Sequence, residues 1–184
     1  MTGASAGYAR LREILDGLPP LPGVGRVEIA EGTIRLTLPP VNRHELAVLR
    51  ITRRLNARLP STHPGYVAHP GADLEDVGLG RLRCPDLMTF TEEALEREQP
   101  SLLPHEVLLV VGVVSKSNPE NDYEGKVRDY AAMGIPLHLL VDPRKGTGIV
   151  HDEPGYASRT HFVVGDTVPV GPWRVDTSGL LTYA

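Results

Sequence analysis

Cysteine occurs once in these 184 residues, at Cys84. A lone cysteine excludes an internal disulfide framework, a cysteine-built zinc site and a paired-cysteine redox motif. Aromatic residues are scarce at 5%, with Trp173 the single tryptophan. That argues against a single-strand binder built on stacked aromatic platforms. No basic stretch followed by an apolar run opens the chain, so no signal peptide is visible. The longest strongly apolar run, Val107–Val114, falls far short of the ~20 residues of a membrane span. A cytoplasmic protein without a membrane partner is therefore expected. Positive charge is not in excess either: 19 Lys+Arg against 23 Asp+Glu give a net charge of −4. Any contact with nucleic acid must then use a local basic patch.

What is present is ordinary globular composition, 41% hydrophobic and 23% charged, over a length that suits one domain. Residues 1–24 read as an N-terminal helical arm, with a short helical pattern over 8–16 ended by Gly17, Pro19, Pro20 and Pro22. Residues 25–184 read as a single domain. Within it, 27–38 alternate as a hairpin turned at Glu31-Gly32. Asn42 is placed to cap a helix over 43–59, whose stripe His44, Val48, Ile51 and Leu55 should face the core. Leu82–Phe90 reads as one strand containing Cys84-Pro85-Asp86, with Pro85 suited only to an edge or irregular position. Val107–Val114 is apolar on both faces and so predicts a central strand. A helix over 122–133, capped by Asn121 with Glu124 in a box-like pair, leads to a buried strand over 137–141. Strand, helix, strand at this spacing predicts a right-handed crossover with parallel strands. Further strands are expected around 147–151, 159–164, 173–175 and 180–183.

Several residues stand out chemically. Asp86 is an aspartate on an otherwise apolar strand, a local conflict of the kind found at functional sites, or else an exposed residue at a sheet corner. Lys126 lies just off the buried stripe of its helix (Tyr123, Val127, Tyr130). It can reach over the sheet end or extend into solvent. Ser115-Lys116-Ser117-Asn118 leaves the end of the central strand, where open α/β sheets gather ligands; these residues suit an anion or a plain turn. His44 on an apolar face is a packing residue or an auxiliary group, and Glu28 in the hairpin carries little signal of its own. Arg43, Arg50, Arg54 and Arg58 share one helix stripe, either a solvated face or a set of phosphate contacts.

The ordered set of elements resembles one family. The residues that carry the likeness are Val27-Glu28-Ile29, Asn42-Arg43-His44, Cys84-Pro85-Asp86, Leu109 through Gly112 to Ser115, Asp122 through Lys126 to Tyr130, Gly134-Ile135-Pro136 and Leu140-Val141-Asp142-Pro143. Together, over about residues 27–180, they are similar to the Uma2 family of endonucleases (DUF820), within the PD-(D/E)XK restriction-endonuclease-like superfamily. The resemblance implies an α/β fold with a mixed sheet flanked by helices, an N-terminal hairpin and a C-terminal β extension. It implies Mg²⁺-dependent hydrolysis of phosphodiester bonds, with Asp86 as metal ligand and Lys126 as the catalytic lysine, since position 114 is Val. Glu28, His44 and Ser115 become auxiliary residues. Nucleic acid, DNA first, becomes the partner, and a homodimer is admitted. The family's second metal carboxylate falls at Gly112, which supplies none. Mg²⁺ is therefore expected to bind weakly or not at all, with turnover impaired or with the chain serving as a binding module for nucleic acid or a protein. The space of the missing side chain is expected to be empty or filled by water.

Overall fold

The computed structural model describes residues 3–182. The N-terminal helix α1 (Gly3–Asp16) precedes a hairpin, β1 (Arg26–Ala30) and β2 (Thr33–Thr37). Glu31 and Gly32 both take positive φ, 54° and 70°, the handedness that a two-residue hairpin turn requires. Helix α2 (Asn42–Asn56) and the short α3 (Leu59–Thr62) lead to β3 (Tyr66–His69), β4 (Asp73–Asp76), β5 (Arg81–Arg83) and β6 (Leu87–Thr91). A two-residue strand β7 (Ser101–Leu102) follows, then β8 (Val107–Val113), helix α4 (Lys126–Ala132) and β9 (Leu137–Asp142). The chain closes with β10 (Thr147–Asp152), β11 (Ser158–Val163), β12 (Thr167–Val170) and β13 (Trp173–Asp176).

These strands form a five-stranded sheet ordered β2-β1-β5-β4-β7, a six-stranded sheet ordered β11-β10-β9-β8-β6-β3, and the hairpin β12-β13. β8 and β9 are parallel and joined through α4, as the crossover argument requires. β8 is buried on both faces. Leu109, Val111 and Val113 pack with Ala47, Val48, Ile51 and Leu55 of α2. Val107 and Val110 pack with Val127 and Tyr130 of α4. Each fully buried aliphatic side chain of this kind contributes about 2 kcal/mol, which is why the apolar run takes the central place. Helix α1 packs onto the first sheet through Tyr8, Leu11 and Leu15, and the Tyr8 hydroxyl donates to Glu75 at 2.5 Å.

Four local expectations are corrected. The segment 82–90 is two strands in two sheets, because Pro85 lacks the N–H a ladder needs and Cys84-Pro85-Asp86 carries the chain between them. Helix α2 starts after Val41 without a side-chain cap and ends at Asn56, so Asn42 is helical and Arg58 lies beyond it. Asn121 does not cap the crossover helix: Asn121–Gly125 forms a π turn ahead of α4, and the Asn121 N–H donates to Asn118 Oδ1 at 3.4 Å. Residues 180–182 form no strand, and Tyr183 lies outside the described residues, whereas Thr167–Val170 does form one. Pro169 masks that strand in the sequence, yet it fits because β12 pairs on one side only.

Candidate functional site

The sheet-to-sheet break places Asp86 beside the end of β8. Leu87 pairs with Val111, so the residue before it reaches past the ladder, where its Oδ2 accepts the Val113 N–H at 2.7 Å. Its Oδ1 accepts from His44 Nε2 at 3.0 Å and from Arg26 Nη1 at 3.0 Å. Asp86 is 5% exposed. Burial alone would raise its pKa; the His44 hydrogen bond and the charges of Lys126, His44 and Arg26 outweigh burial and hold the carboxyl at about 2. Because that carboxylate is ionised, the His44 ring nitrogen facing it is the donor. His44 reaches it from the first turn of α2, on the stripe that Val48, Ile51 and Leu55 bury.

Lys126 turns inward rather than into solvent. Its Nζ lies 3.0 Å from Asp122 Oδ1 and 3.8 Å from Glu28 Oε1. Burial would lower the lysine pKa, but Glu28 and Asp122 more than offset it, so the ammonium stays charged above the usual lysine range. Asp122, one helical turn earlier, is itself held by the Ser115 N–H at 2.9 Å and the Ser115 hydroxyl at 3.2 Å. Ser115 is thus a clamp between the end of β8 and the helix. The π turn widens the backbone here, and a Cβ at Gly125 would lie 2.8 Å from Asn121 Oδ1, so that side chain would have to shift.

Glu28 sits behind Lys126 and is fully enclosed. It accepts the Cys84 N–H at 3.0 Å and Arg83 Nη1 at 2.8 Å. Burial would raise its pKa, but Lys126, Arg83 and the Cys84 N–H bring it below the usual carboxylate range. Arg83 continues to Asp129 Oδ2 through Nε at 2.9 Å and Nη2 at 2.5 Å. Sequence reasoning missed Arg83 and Arg26. Each is an arginine on a short strand, a position that reads as an exposed polar residue, and no local signal marks either as buried or site-facing.

Arg26, His44, Asp86, Ser115, Asp122 and Lys126 line one cavity of about 240 Å³. It opens beyond the end of β8, where ligands of open α/β sheets collect. Gly112 does not face open space. A Cβ there would lie 3.3 Å from Leu140 Cδ1 and 3.5 Å from His138 Nε2, so side chains from β9 lie against this position. His138 is buried, and burial together with His151 lowers its pKa to about 3, leaving a neutral ring stacked on His151 with centroids 5.1 Å apart.

The arginine stripe divides. Arg43 and Arg58 are exposed. Arg50 and Arg54 donate to the backbone carbonyls of Gly179 and Ser178, and Arg54 faces Asp176 at 4.0 Å. Those two arginines hold down the C-terminal segment.

The Mg²⁺ implied by the resemblance does not fit this donor set. Both Asp86 oxygens already accept hydrogen bonds, Glu28 and Asp122 are engaged by cations, and Gly112 offers no ligand. Among the described residues no group of three or more His, Cys, Asp or Glu side chains is placed to hold a metal ion. No helix among them is long and apolar enough to cross a membrane.

Comparison with known proteins adds a family and a fold. The Uma2 family model, described as "Putative restriction endonuclease", matches residues 15–173. The crystal structure of "a putative nuclease belonging to DUF820" from Anabaena variabilis ATCC 29413 is similar with a TM-score of 0.70 and 17% identity, covering 92% of this chain and 96% of that one. No curated protein matches the chain.

Proposed function

Given that this chain belongs to the Uma2 family, we propose that it engages nucleic acid, DNA first, at the Asp86–Lys126 cavity, with Mg²⁺-dependent phosphodiester hydrolysis impaired. The observation that carries this reading is the convergence of Asp86 and Lys126 on one cavity at the end of a strand whose position 112 lacks a carboxylate. A buried ammonium facing a cavity stabilises the negative charge of a phosphate group. His44 holds Asp86 in place from α2, and Ser115 holds Asp122 so that it fixes Lys126. The exposed Arg43 and Arg58 supply backbone contacts that carry affinity without sequence information.

The test is cleavage and binding measured side by side. Purified protein is incubated with plasmid in Mg²⁺ or Mn²⁺, with Asp86→Ala as control, and its affinity for labelled duplex is read at low salt. The expected result is salt-sensitive binding with little or no metal-dependent cutting. Vigorous Mg²⁺-dependent cleavage that disappears in Asp86→Ala overturns the impairment. Absence of any binding at low salt overturns the nucleic-acid reading and leaves a protein partner as the ligand to seek.

A further inference from the structure

We propose that Arg26 is the resident cation of this site, seated where a divalent ion would otherwise sit, and that the cavity takes a phosphate group between Arg26 and Lys126 without any metal. Arg26 Nη1 contacts Asp86 Oδ1 at 3.0 Å, the Cys84 carbonyl at 3.0 Å and the Pro85 carbonyl at 3.2 Å. One carboxylate oxygen and two backbone carbonyls are the donor types that a hard cation selects. Here a guanidinium occupies them. The same Asp86 carboxylate also accepts from His44 and from the Val113 N–H, so three hydrogen bonds compete with an ion for its oxygens, and Mg²⁺ gives up its hydration reluctantly.

The guanidinium is not consumed by this seat. All three hydrogen bonds use Nη1, and the side chain also borders a neighbouring cavity with Asp73, whose charge it feels. The Arg26 side chain is 26% exposed and lines the same cavity as Lys126. A planar guanidinium fork matches two phosphate oxygens. Lys126, anchored from behind by Asp122 and Glu28, supplies a second positive charge to the same cavity. The carboxylates fix the two cations in position instead of binding a metal. Arg26 can take this place because β1 begins beside the Cys84-Pro85-Asp86 break, with Ile29 paired to Leu82 of β5.

The identity of the ligand rests on the nucleic-acid reading above; the seat of Arg26 does not. Two measurements separate them. Affinity for a labelled DNA duplex is compared in EDTA and in millimolar Mg²⁺ for the wild type, Arg26→Gln and Arg26→Lys. Mn²⁺ uptake by the wild type and by Asp86→Asn is followed by calorimetry without DNA. The wild type is expected to bind duplex equally in both buffers and to take up no Mn²⁺ at Asp86. Arg26→Gln is expected to weaken binding in EDTA about tenfold, and Arg26→Lys, which keeps the charge but loses the fork, to fall between. Binding that requires a divalent ion overturns the proposal, as does binding unchanged in folded Arg26→Gln. Mn²⁺ uptake that Asp86→Asn abolishes also overturns it. If the wild type binds no duplex in either buffer, the nucleic-acid reading and the phosphate assignment both fail, and the Mn²⁺ result alone decides the seat of Arg26.

Discussion

Arg83 is fully buried and joins Glu28 of the hairpin to Asp129 of helix α4, at 2.8 Å and 2.5 Å. The two carboxylates come from different layers, so the guanidinium fixes how the first sheet meets the crossover helix that carries Lys126. Removing one partner of such a buried network strands the remaining charges, which costs about 3–5 kcal/mol. Arg83→Leu should therefore lower the unfolding free energy in urea by that order and loosen the Lys126 site with it. A loss below about 1 kcal/mol would show that the network does not hold the layers together.

Asp86 makes stability depend on acid. Its pKa is depressed from 3.8 to about 2 in the folded chain, so its contribution is complete above the unfolded value and is lost as pH falls through the folded one. Between pH about 4 and about 2 the wild type should lose about 2 kcal/mol that Asp86→Asn does not lose. Urea unfolding of both proteins across that window measures the difference. Parallel curves would mean that the carboxylate is not held by His44 and Arg26.

His138 acts in a different window. Its folded pKa is lowered from 6.5 to about 3, so the unfolded chain binds a proton over that range and the folded chain does not. Stability should fall as pH drops from 6.5 toward 3, by about 1.4 kcal/mol per pH unit from this residue. In His138→Phe that slope should be shallower. An unchanged slope would place the protonation elsewhere.

The arginines of α2 should separate by role. Arg43→Ala with Arg58→Ala should weaken duplex binding and reduce the salt slope by about two contacts. Arg50→Ala with Arg54→Ala should instead speed amide exchange over residues 176–180, which those side chains hold through carbonyls. Equal salt slopes in both double variants would make the exposed pair part of a solvated face.

Gly112→Glu alone should not give a metal-dependent nuclease. Its Cβ would press on Leu140 at 3.3 Å, and Arg26 would still occupy Asp86. Gly112→Glu combined with Arg26→Gln returns a second carboxylate and vacates the first, and this double variant should take up Mn²⁺ in calorimetry where either single variant does not. Uptake by Gly112→Glu alone would show that Arg26 yields its place readily.

Elements whose signals are local were legible in the residues. The apolar run at 107–114 could satisfy both its faces only at the centre of a sheet. The His44, Val48, Ile51 and Leu55 stripe fixed which side of α2 turns inward, and Glu31-Gly32 fixed the hairpin turn. The ordered motifs carried the family, and they singled out Asp86 and Lys126, which the structure brings to one cavity. Which charges meet was set by the packing of the layers. Arg26 and Asp86 are 60 residues apart, and Arg83 and Asp129 are 46 apart. No periodicity within one element encodes a pairing over such distances. Tertiary structure also decided that Pro85 divides one apparent strand between two sheets, that Arg50 and Arg54 clasp the C-terminal segment, and that His138 backs Gly112. Burial and pairing are properties of the assembled layers: a charged side chain becomes a partner only when packing brings its counter-charge into the same dry space.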